Sequence, residues 1–286
     1  MLPAKSKLIV TRSKHIHGWF TTEAAMMFAW IDEIQQDNRI VGNIFEIGCH
    51  HGKSTTCLGA MVNVQDEQLC VCDLFGDQDT NISGSGSGDL EKFNHNMAPA
   101  IESGLEVRIF QKNSTTLTSE EIGGNYRFFH IDGGHNCEEA LSDLKLAADS
   151  LVEKGVIVLD DPFRPEWPGV TEAFMRFLDG NSQFRAIAVG FNKLIMVRKD
   201  CAELYLEEIR LQKRREDYGL FFPWQVKELP FYGYPLLIFY VPTYLAKNSF
   251  GTLVRKMYRN HGWMSSPILR PFTSLVKTTI RNRNRK

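Results

Sequence analysis

The strongest constraint on the fold is the alternation of short apolar segments with amphipathic segments between residues 44 and 197. Seven segments predict strands: Ile44–Ile47, Gln68–Cys72, Glu106–Phe110, Arg127–Ile131, Val156–Leu159, Phe184–Val189 and Leu194–Val197. Four of the five segments between the first six strands predict helices, and strands that alternate with helices form a mostly parallel, doubly wound sheet. The last two strands follow each other directly and add an antiparallel hairpin at one edge. We therefore expect an α/β, Rossmann-like seven-stranded sheet.

The chain divides into two parts near residue 200. We expect the sheet to occupy residues 1–200, while residues 201–286 form an aromatic and basic C-terminal extension. Residues 229–286 contain ten Lys and Arg and no Asp or Glu, although the whole chain has a net charge of -1. Such a tail can lie on an anionic membrane surface, form a homo-oligomer contact or pack on the catalytic domain. We expect no nucleic-acid partner.

Three absences indicate a cytoplasmic protein. The N-terminal residues lack the apolar core of a signal peptide. No apolar run reaches the roughly 18 residues that a membrane span needs. Six cysteines stand at scattered spacings, which predicts reduced thiols and no disulfide framework.

The segment FEIGCHHGKS, residues 45–54, admits three interpretations. A P-loop has four residues between its glycines, whereas only three separate Gly48 from Gly52. The run VIVLDD at residues 156–161 imitates the strand that holds Mg²⁺ in such proteins. Glu46 argues against this interpretation, because a carboxylate in the same crevice would repel a triphosphate.

The second interpretation is a metal site formed by Cys49, His50 and His51. Adjacent residues on a turn usually point in different directions, and no second Cys or His pair stands at zinc-like spacing. We therefore expect these three residues to form the turn and not a metal site.

The third interpretation, a nucleotide-type turn, fits best. Asp73 ends the second strand 27 residues after Glu46, close to the position of the acid that binds ribose hydroxyls in this fold. His50 occupies the place of the second glycine of a pyrophosphate-binding turn. The carboxylate of Glu46 suits a ligand with cationic sulfonium and ammonium groups. The missing glycine suits a ligand that has an adenosine but no phosphate. S-adenosylmethionine is such a ligand.

A second group of polar residues follows the fourth and fifth strands. Asp132 lies 28 residues before Asp160, which is about one βαβ unit, so both strand ends meet at the same edge. We expect Asp132, Asp160 and Asp161 to hold Mg²⁺ or Mn²⁺, which prefer oxygen ligands. Gly133 and Gly134 place His135 over the same pocket, where an imidazole can act as general base. Together these residues predict methylation of a hydroxyl.

The quoted motifs resemble those of the class I S-adenosylmethionine-dependent methyltransferases. FEIGCHHGKS, CDLF at residues 72–75 and IDGGH before the paired acids are similar to the metal-dependent sugar O-methyltransferases of the macrocin and mycinamicin type. The resemblance covers about residues 18–200.

The resemblance implies a role for each matching residue. Glu46 and Gly48 would face the methionine part of the cofactor, Asp73 the ribose and Ser114 the adenine, and Asp132 would border both cofactor and metal. The acceptor would be a small molecule or glycoconjugate whose vicinal sugar hydroxyls chelate the metal. Residues 76–89 would form a lid, and Trp167 would border the acceptor pocket. Two alternatives remain open at this point, a P-loop-type nucleotide hydrolase and a non-catalytic cofactor-binding protein.

Overall fold

A computed structural model of the protein describes residues 8, 9, 11–211 and 225–240, and these residues build one sheet flanked by helices. The strands are β1 Asn43–Ile47, β2 Leu69–Asp73, β3 Val107–Gln111, β4 Tyr126–Ile131, β5 Leu151–Asp160, β6 Phe184–Gly190, β7 Lys193–Arg198, β8 Gln225–Phe231 and β9 Tyr234–Tyr240. The main α-helices are α1 Thr22–Asp37, α2 Lys53–Met61, α3 Leu90–Glu102, α4 Ser119–Ile122, α5 Cys137–Ser150, α6 Pro168–Gly180 and α7 Ala202–Arg210.

The strand order is β3-β2-β1-β4-β5-β7-β6-β9-β8. Strands β1 to β5 are parallel to one another, and β7 pairs antiparallel with both β5 and β6. This arrangement confirms the predicted Rossmann-like sheet with an antiparallel edge hairpin. The chain order reverses between β1 and β4, where ligands bind in open α/β sheets.

The predicted number of seven strands is wrong, because β8 and β9 extend the sheet to nine strands within the described part of the chain. They form a hairpin whose two turn residues, Tyr232 and Gly233, have φ angles of 52° and 76°, as the tightest hairpin turns require. Strand β9 then pairs in parallel with β6. The sequence concealed these strands because Pro230 and Pro235 interrupt the apolar run, and proline disfavours a strand unless it lies at an edge.

Helix α5 has a well-defined N-cap and ends where β5 begins. The side chain of Asn136 accepts a hydrogen bond of 2.9 Å from the backbone N–H of Glu139 and so caps the first turn of the helix. The helix ends at Ser150, because Leu151 takes an extended conformation and pairs with Tyr126 of β4. Strand β5 therefore begins five residues before the predicted strand.

A buried cation anchors α1 to the sheet. Arg127 of β4 is 1% exposed and lies 2.9 Å from Asp32 and 2.7 Å from Glu67. Its backbone carbonyl also accepts a hydrogen bond from Gln35. Removing one partner of such a pair costs about 3–5 kcal/mol, since the other charge stays buried. The network fixes the first helical layer over the strands that carry the site.

All six cysteines are buried and unbridged. Within the described ranges, no helix is both long and apolar enough to cross a membrane. Residues 212–224 and the basic segment 241–286 of the C-terminal extension lie outside the described residues.

Candidate active site

The two predicted groups of polar residues meet in one cavity of about 560 Å³ beside the carboxyl ends of the parallel strands. This volume suits a cofactor or drug-sized ligand. Seven of the predicted site residues line it: Gly48, Asp73, Ser114, Asp132, His135, Asp160 and Asp161.

The glycine turn packs directly on the end of β4. Gly48 has a φ of 82°, and a Cβ atom there would lie 1.8 Å from the carbonyl oxygen of Asp132. Only glycine fits this position, because a side chain would meet both a forbidden conformation and backbone. Gly52, with a φ of 86°, then turns the chain into α2. The turn and Asp132 therefore share one wall of the cavity.

Asp73 has a fixed orientation at the end of β2. Its Oδ2 atom accepts a hydrogen bond of 2.7 Å from the backbone N–H of His50, and Oδ1 accepts one of 2.6 Å from that of Phe75. Burial raises the pKa of Asp73, although these N–H donors partly oppose the increase. Each oxygen retains a lone pair, so the carboxylate can accept further hydrogen bonds from a ligand in the cavity.

Glu46, predicted to face the methionine part of the cofactor, has its side chain away from the cavity. Glu46 is fully buried, outside the cavity lining. Its Oε1 atom lies 2.9 Å from Nδ1 of His130, and its Oε2 atom accepts a hydrogen bond from the Thr55 hydroxyl. Side chains alternate along β1, so Glu46 faces the same layer as Ile44, toward α1 and α2. Glu46 and His130 thus form a buried polar pair beneath the site.

The donor atoms of Asp132, His135 and Asp161 lie within 4.8 Å of one another, a spacing that could hold a metal ion. Burial, followed by the neighbouring Asp160 carboxylate, raises the pKa of Asp132 well above its usual value. Burial also acts to raise the pKa of Asp161, but hydrogen bonds from His135 and Asn192 outweigh it and lower that pKa. Asp161 has a φ of 54°, a conformation that costs energy for a residue other than glycine and concentrates at functional sites.

Asp160, a predicted metal ligand, already has two partners in the protein. Its Oδ2 atom lies 2.6 Å from Nζ of the buried Lys193, and Oδ1 accepts a hydrogen bond of 2.8 Å from the Asn192 side chain. Asn192 also donates to Asp161. Lys193 and Asn192 were missed by sequence reasoning. The available signal was the connection between the last two predicted strands, residues 190–193, which the β5–β7 pairing places beside the paired acids.

His135 is held on three sides. Its Nε2 atom lies 3.2 Å from Oδ2 of Asp161, and its Nδ1 atom lies 2.8 Å from the hydroxyl of Ser85. Its ring stacks on Trp167 with a centroid distance of 4.2 Å. These contacts fix the imidazole at the cavity surface, and they occupy the face of Trp167 that was expected to border the acceptor.

The segment 76–89 runs along the cavity. Its polar side chains line the wall, among them Gln78, Asn81, Ser83 and Ser85. A Cβ atom at Gly88 would lie 2.6 Å from Oδ1 of Asp73, so the end of the segment packs on the carboxylate at the end of β2. The segment thus contacts both halves of the site.

Ser114 lies near a buried acid that sequence reasoning did not identify. Asp143 of α5 is fully buried, and burial raises its pKa to about 7 although the Ser114 hydroxyl acts to lower it. A Cβ atom at Gly133 would lie 3.1 Å from the Asp143 carboxylate. Asp143 therefore lies directly beneath the cavity wall.

The rings of His50 and His51 lie together, which contradicts the expectation that adjacent side chains on this turn diverge. Their centroids are 3.7 Å apart, and His17 lies 6.0 Å from each. His50 has a φ of 50°, which bends the backbone at this point. Cys49, in contrast, is buried, and burial raises the pKa of its thiol well above the usual value.

Residues 45–162 match the family model described as a methyltransferase domain. This range contains the glycine turn, Asp73, Ser114 and the acid cluster. This match and the sheet order support the predicted resemblance to the class I S-adenosylmethionine-dependent methyltransferases. No curated protein sequence matches the chain.

Several solved methyltransferases are similar in structure. The O-methyltransferase NovP is 14% identical, with a TM-score of 0.51 over 63% of this chain and 83% of NovP. The SAH-bound methyltransferase PaMTH1 of Podospora anserina is 14% identical, with a TM-score of 0.48 over 69% and 88% of the two chains. CalS11, a TDP-rhamnose 3′-O-methyltransferase of calicheamicin biosynthesis, is 14% identical, with a TM-score of 0.47 over 68% and 93%. At such identities the likeness to NovP shows the fold alone.

Proposed function

We propose that the protein is an S-adenosylmethionine-dependent O-methyltransferase that activates a hydroxyl at the cluster of Asp132, His135 and Asp161. The observation that carries this proposal is that the glycine turn, Asp73 and the cluster line one cavity. Methyl transfer needs the sulfonium and the acceptor oxygen in line and in contact. One cavity with a nucleotide-type turn and a base at the same sheet edge meets this requirement.

The cofactor would lie across the ends of β1, β2 and β3. Asp73 would accept hydrogen bonds from the ribose hydroxyls, and Ser114 would border the adenine. Gly48 would let the backbone approach the methionine part, next to Asp132. Because its side chain is buried, Glu46 would act on the cofactor only indirectly, through the position of the turn.

The donor set of the cluster fits a hard divalent cation, Mg²⁺ or Mn²⁺. Asp132 and Asp161 would hold the ion, whereas Asp160 already has Lys193 as its partner. The raised pKa of Asp132 reflects carboxylates crowded in a buried place, and a divalent cation would relieve that repulsion. Such an ion, when bound, lowers the pKa of a coordinated hydroxyl.

His135 would accept the acceptor's proton. In the tautomer that carries its proton on Nε2, His135 would donate to Asp161, and Nδ1 would carry the lone pair that faces Ser85. An acceptor hydroxyl that takes the place of the Ser85 hydroxyl would give its proton to Nδ1. Its oxygen would then form a bond to the methyl carbon while the carbon–sulfur bond breaks, and S-adenosylhomocysteine would leave.

The acceptor class we propose is a sugar or glycoconjugate hydroxyl. The support is the resemblance of the motifs and the polar lining contributed by residues 76–89, which suits a ligand with several hydroxyls.

Calorimetric titration with S-adenosylhomocysteine and with ATP tests the cofactor. Binding of S-adenosylhomocysteine without binding of ATP is expected, whereas ATP binding that depends on Lys53 would support the P-loop alternative. Methyl transfer to a panel of sugar vicinal diols, with and without Mg²⁺, tests the acceptor and the metal. Cofactor binding with no turnover on the panel would favour the non-catalytic alternative.

A further inference from the structure

We infer that His17, His50 and His51 form a second cation site, separate from the acid cluster, that takes a borderline transition-metal ion of the zinc type. One donor nitrogen from each side chain lies within 4.8 Å of the other two. A tetrahedral zinc site has Zn–N bonds of about 2.0–2.1 Å, which places its nitrogens about 3.3 Å apart. Binding an ion would require ring rotations that bring the nitrogens to this spacing, and His17 is exposed and able to rotate.

The backbone of each histidine is held by a contact outside the cluster. The N–H of His50 donates to Asp73 at 2.7 Å, and the carbonyl oxygen of His51 accepts a hydrogen bond of 2.8 Å from Asn96. The residue after His17, Gly18, accepts a hydrogen bond of 2.7 Å from Nζ of Lys53. The two chain segments that carry the histidines are thereby fixed around one point, which lowers the entropy cost of binding an ion.

A second observation also points to a ligand. Nδ1 of His50 is buried and has no hydrogen-bond partner among the described residues. A buried polar atom without a partner is costly, and metal coordination would satisfy it. Lys92 is a cation close enough to affect His51, but it pairs with Asp89 at 3.0 Å, which reduces its repulsion of a bound ion.

The donor type separates this site from the acid cluster. Three imidazoles favour zinc, nickel, cobalt or copper over magnesium, which prefers oxygen. Three protein ligands also leave a fourth position open in a tetrahedral site. Since Gly18, Trp19 and His50 line the active-site cavity, an ion here would join the N-terminal segment to the glycine turn along that wall.

Zinc titration of the full-length, untagged protein by calorimetry tests the site. The titration uses saturating Mg²⁺ in the His135→Ala background, which removes the only imidazole of the acid cluster. We expect one zinc ion per chain, and we expect His17→Ala and His51→Ala to weaken its binding by about tenfold or more, because loss of a ligand costs at least as much as loss of an outer partner. His95→Ala, the exposed matched control on α3, should bind zinc like the parent protein.

A second readout uses Trp19, which is 70% exposed and lies 5.9 Å from His17 and 5.4 Å from His50. Bound Co²⁺ should quench its fluorescence, and the quenching should disappear in Trp19→Phe while calorimetric binding persists. Zinc binding of equal affinity in the parent and the His17→Ala protein would overturn the site. Absence of any zinc binding in the parent protein would overturn it as well.

Discussion

The Nε2 atom of His135 lies 3.2 Å from Oδ2 of Asp161. Asp161 ends up in this position because it adopts a left-handed conformation just after β5. The other ring nitrogen of His135 faces a hydroxyl, that of Ser85, at 2.8 Å. The imidazole thus already makes the contact with a hydroxyl that the proposed reaction requires, and its orientation is set by an acid.

Replacing His135 with alanine should lower kcat by about 10²–10⁴-fold, the usual contribution of a general base. Single-turnover methyl transfer with saturating cofactor measures this loss. The Kd for S-adenosylhomocysteine should change little, because His135 is proposed to contact the acceptor. The exposed His95→Ala variant is the matched control, and undiminished turnover in His135→Ala would exclude the proposed base.

Removal of divalent cations should abolish methyl transfer, because Asp132 and Asp161 are proposed to hold the ion that activates the hydroxyl. EDTA treatment followed by addition of Mg²⁺ alone should restore activity, while S-adenosylhomocysteine binding persists throughout. Asp161→Asn should lower activity even with excess Mg²⁺, and the exposed Asp149→Asn should not. Full turnover in EDTA would show that no cation takes part.

Replacing Asp73 with alanine should weaken S-adenosylhomocysteine binding. The variant loses the proposed ribose acceptor and leaves the N–H groups of His50 and Phe75 without their carboxylate. Loss of a charged hydrogen-bond partner costs about 1.5–3 kcal/mol, or roughly a 10- to 150-fold increase in Kd. Calorimetry measures the change, and an unaltered Kd would remove Asp73 from the cofactor site.

The convergence of Asp73, Asp132 and the paired acids follows from sequence alone, because strand spacing and parallel pairing determine which residues share a sheet edge. The cap at Asn136 is likewise local. The convergence of the acids depends on the regular repeat of strands and helices, and the cap depends on residues close in the chain. Sequence patterns indicate both kinds of feature directly.

The position of Glu46, the pairing of Asp160 with Lys193 and the approach of His17 to the glycine turn were not predictable in the same way. Each depends on packing between segments that no local pattern relates. The alternation of side chains along a strand indicates that neighbouring residues lie on opposite faces of the sheet. Which of the two faces a given residue takes depends on how the helices pack above and below the sheet, and the strand's own sequence does not record that packing. The contact of His17 joins residues more than thirty positions apart through an irregular segment.

Gly48→Ala should destabilise the protein strongly, because the new Cβ would lie 1.8 Å from the Asp132 carbonyl oxygen in a left-handed conformation. We expect the free energy of unfolding to fall by about 3 kcal/mol or more, as for other backbone clashes in a packed site. Urea denaturation measures it. Gly76→Ala is the control, since no atom lies within 4 Å of its Cβ position, and equal stability of the two variants would contradict the close approach.

Asp143 should make the stability of the fold depend on pH near neutrality. Burial raises its pKa to about 7 in the folded protein, whereas an unfolded aspartate has a pKa of about 3.9. The folded state therefore binds the proton more tightly. This stabilisation is fully present below the unfolded value and is lost as the pH rises through about 7.

Relative to Asp143→Asn, the parent protein should gain about 1.4 kcal/mol of unfolding free energy between pH 8 and pH 6. Urea denaturation of both proteins across this range measures the difference in their unfolding free energies. Groups that titrate in both proteins contribute equally and therefore do not affect this difference. Asp149→Asn, exposed on the same helix, should run parallel to the parent protein. If the Asp143→Asn curve also runs parallel to the parent, the carboxyl at the base of the cavity is ionised throughout this range, and burial does not hold its proton.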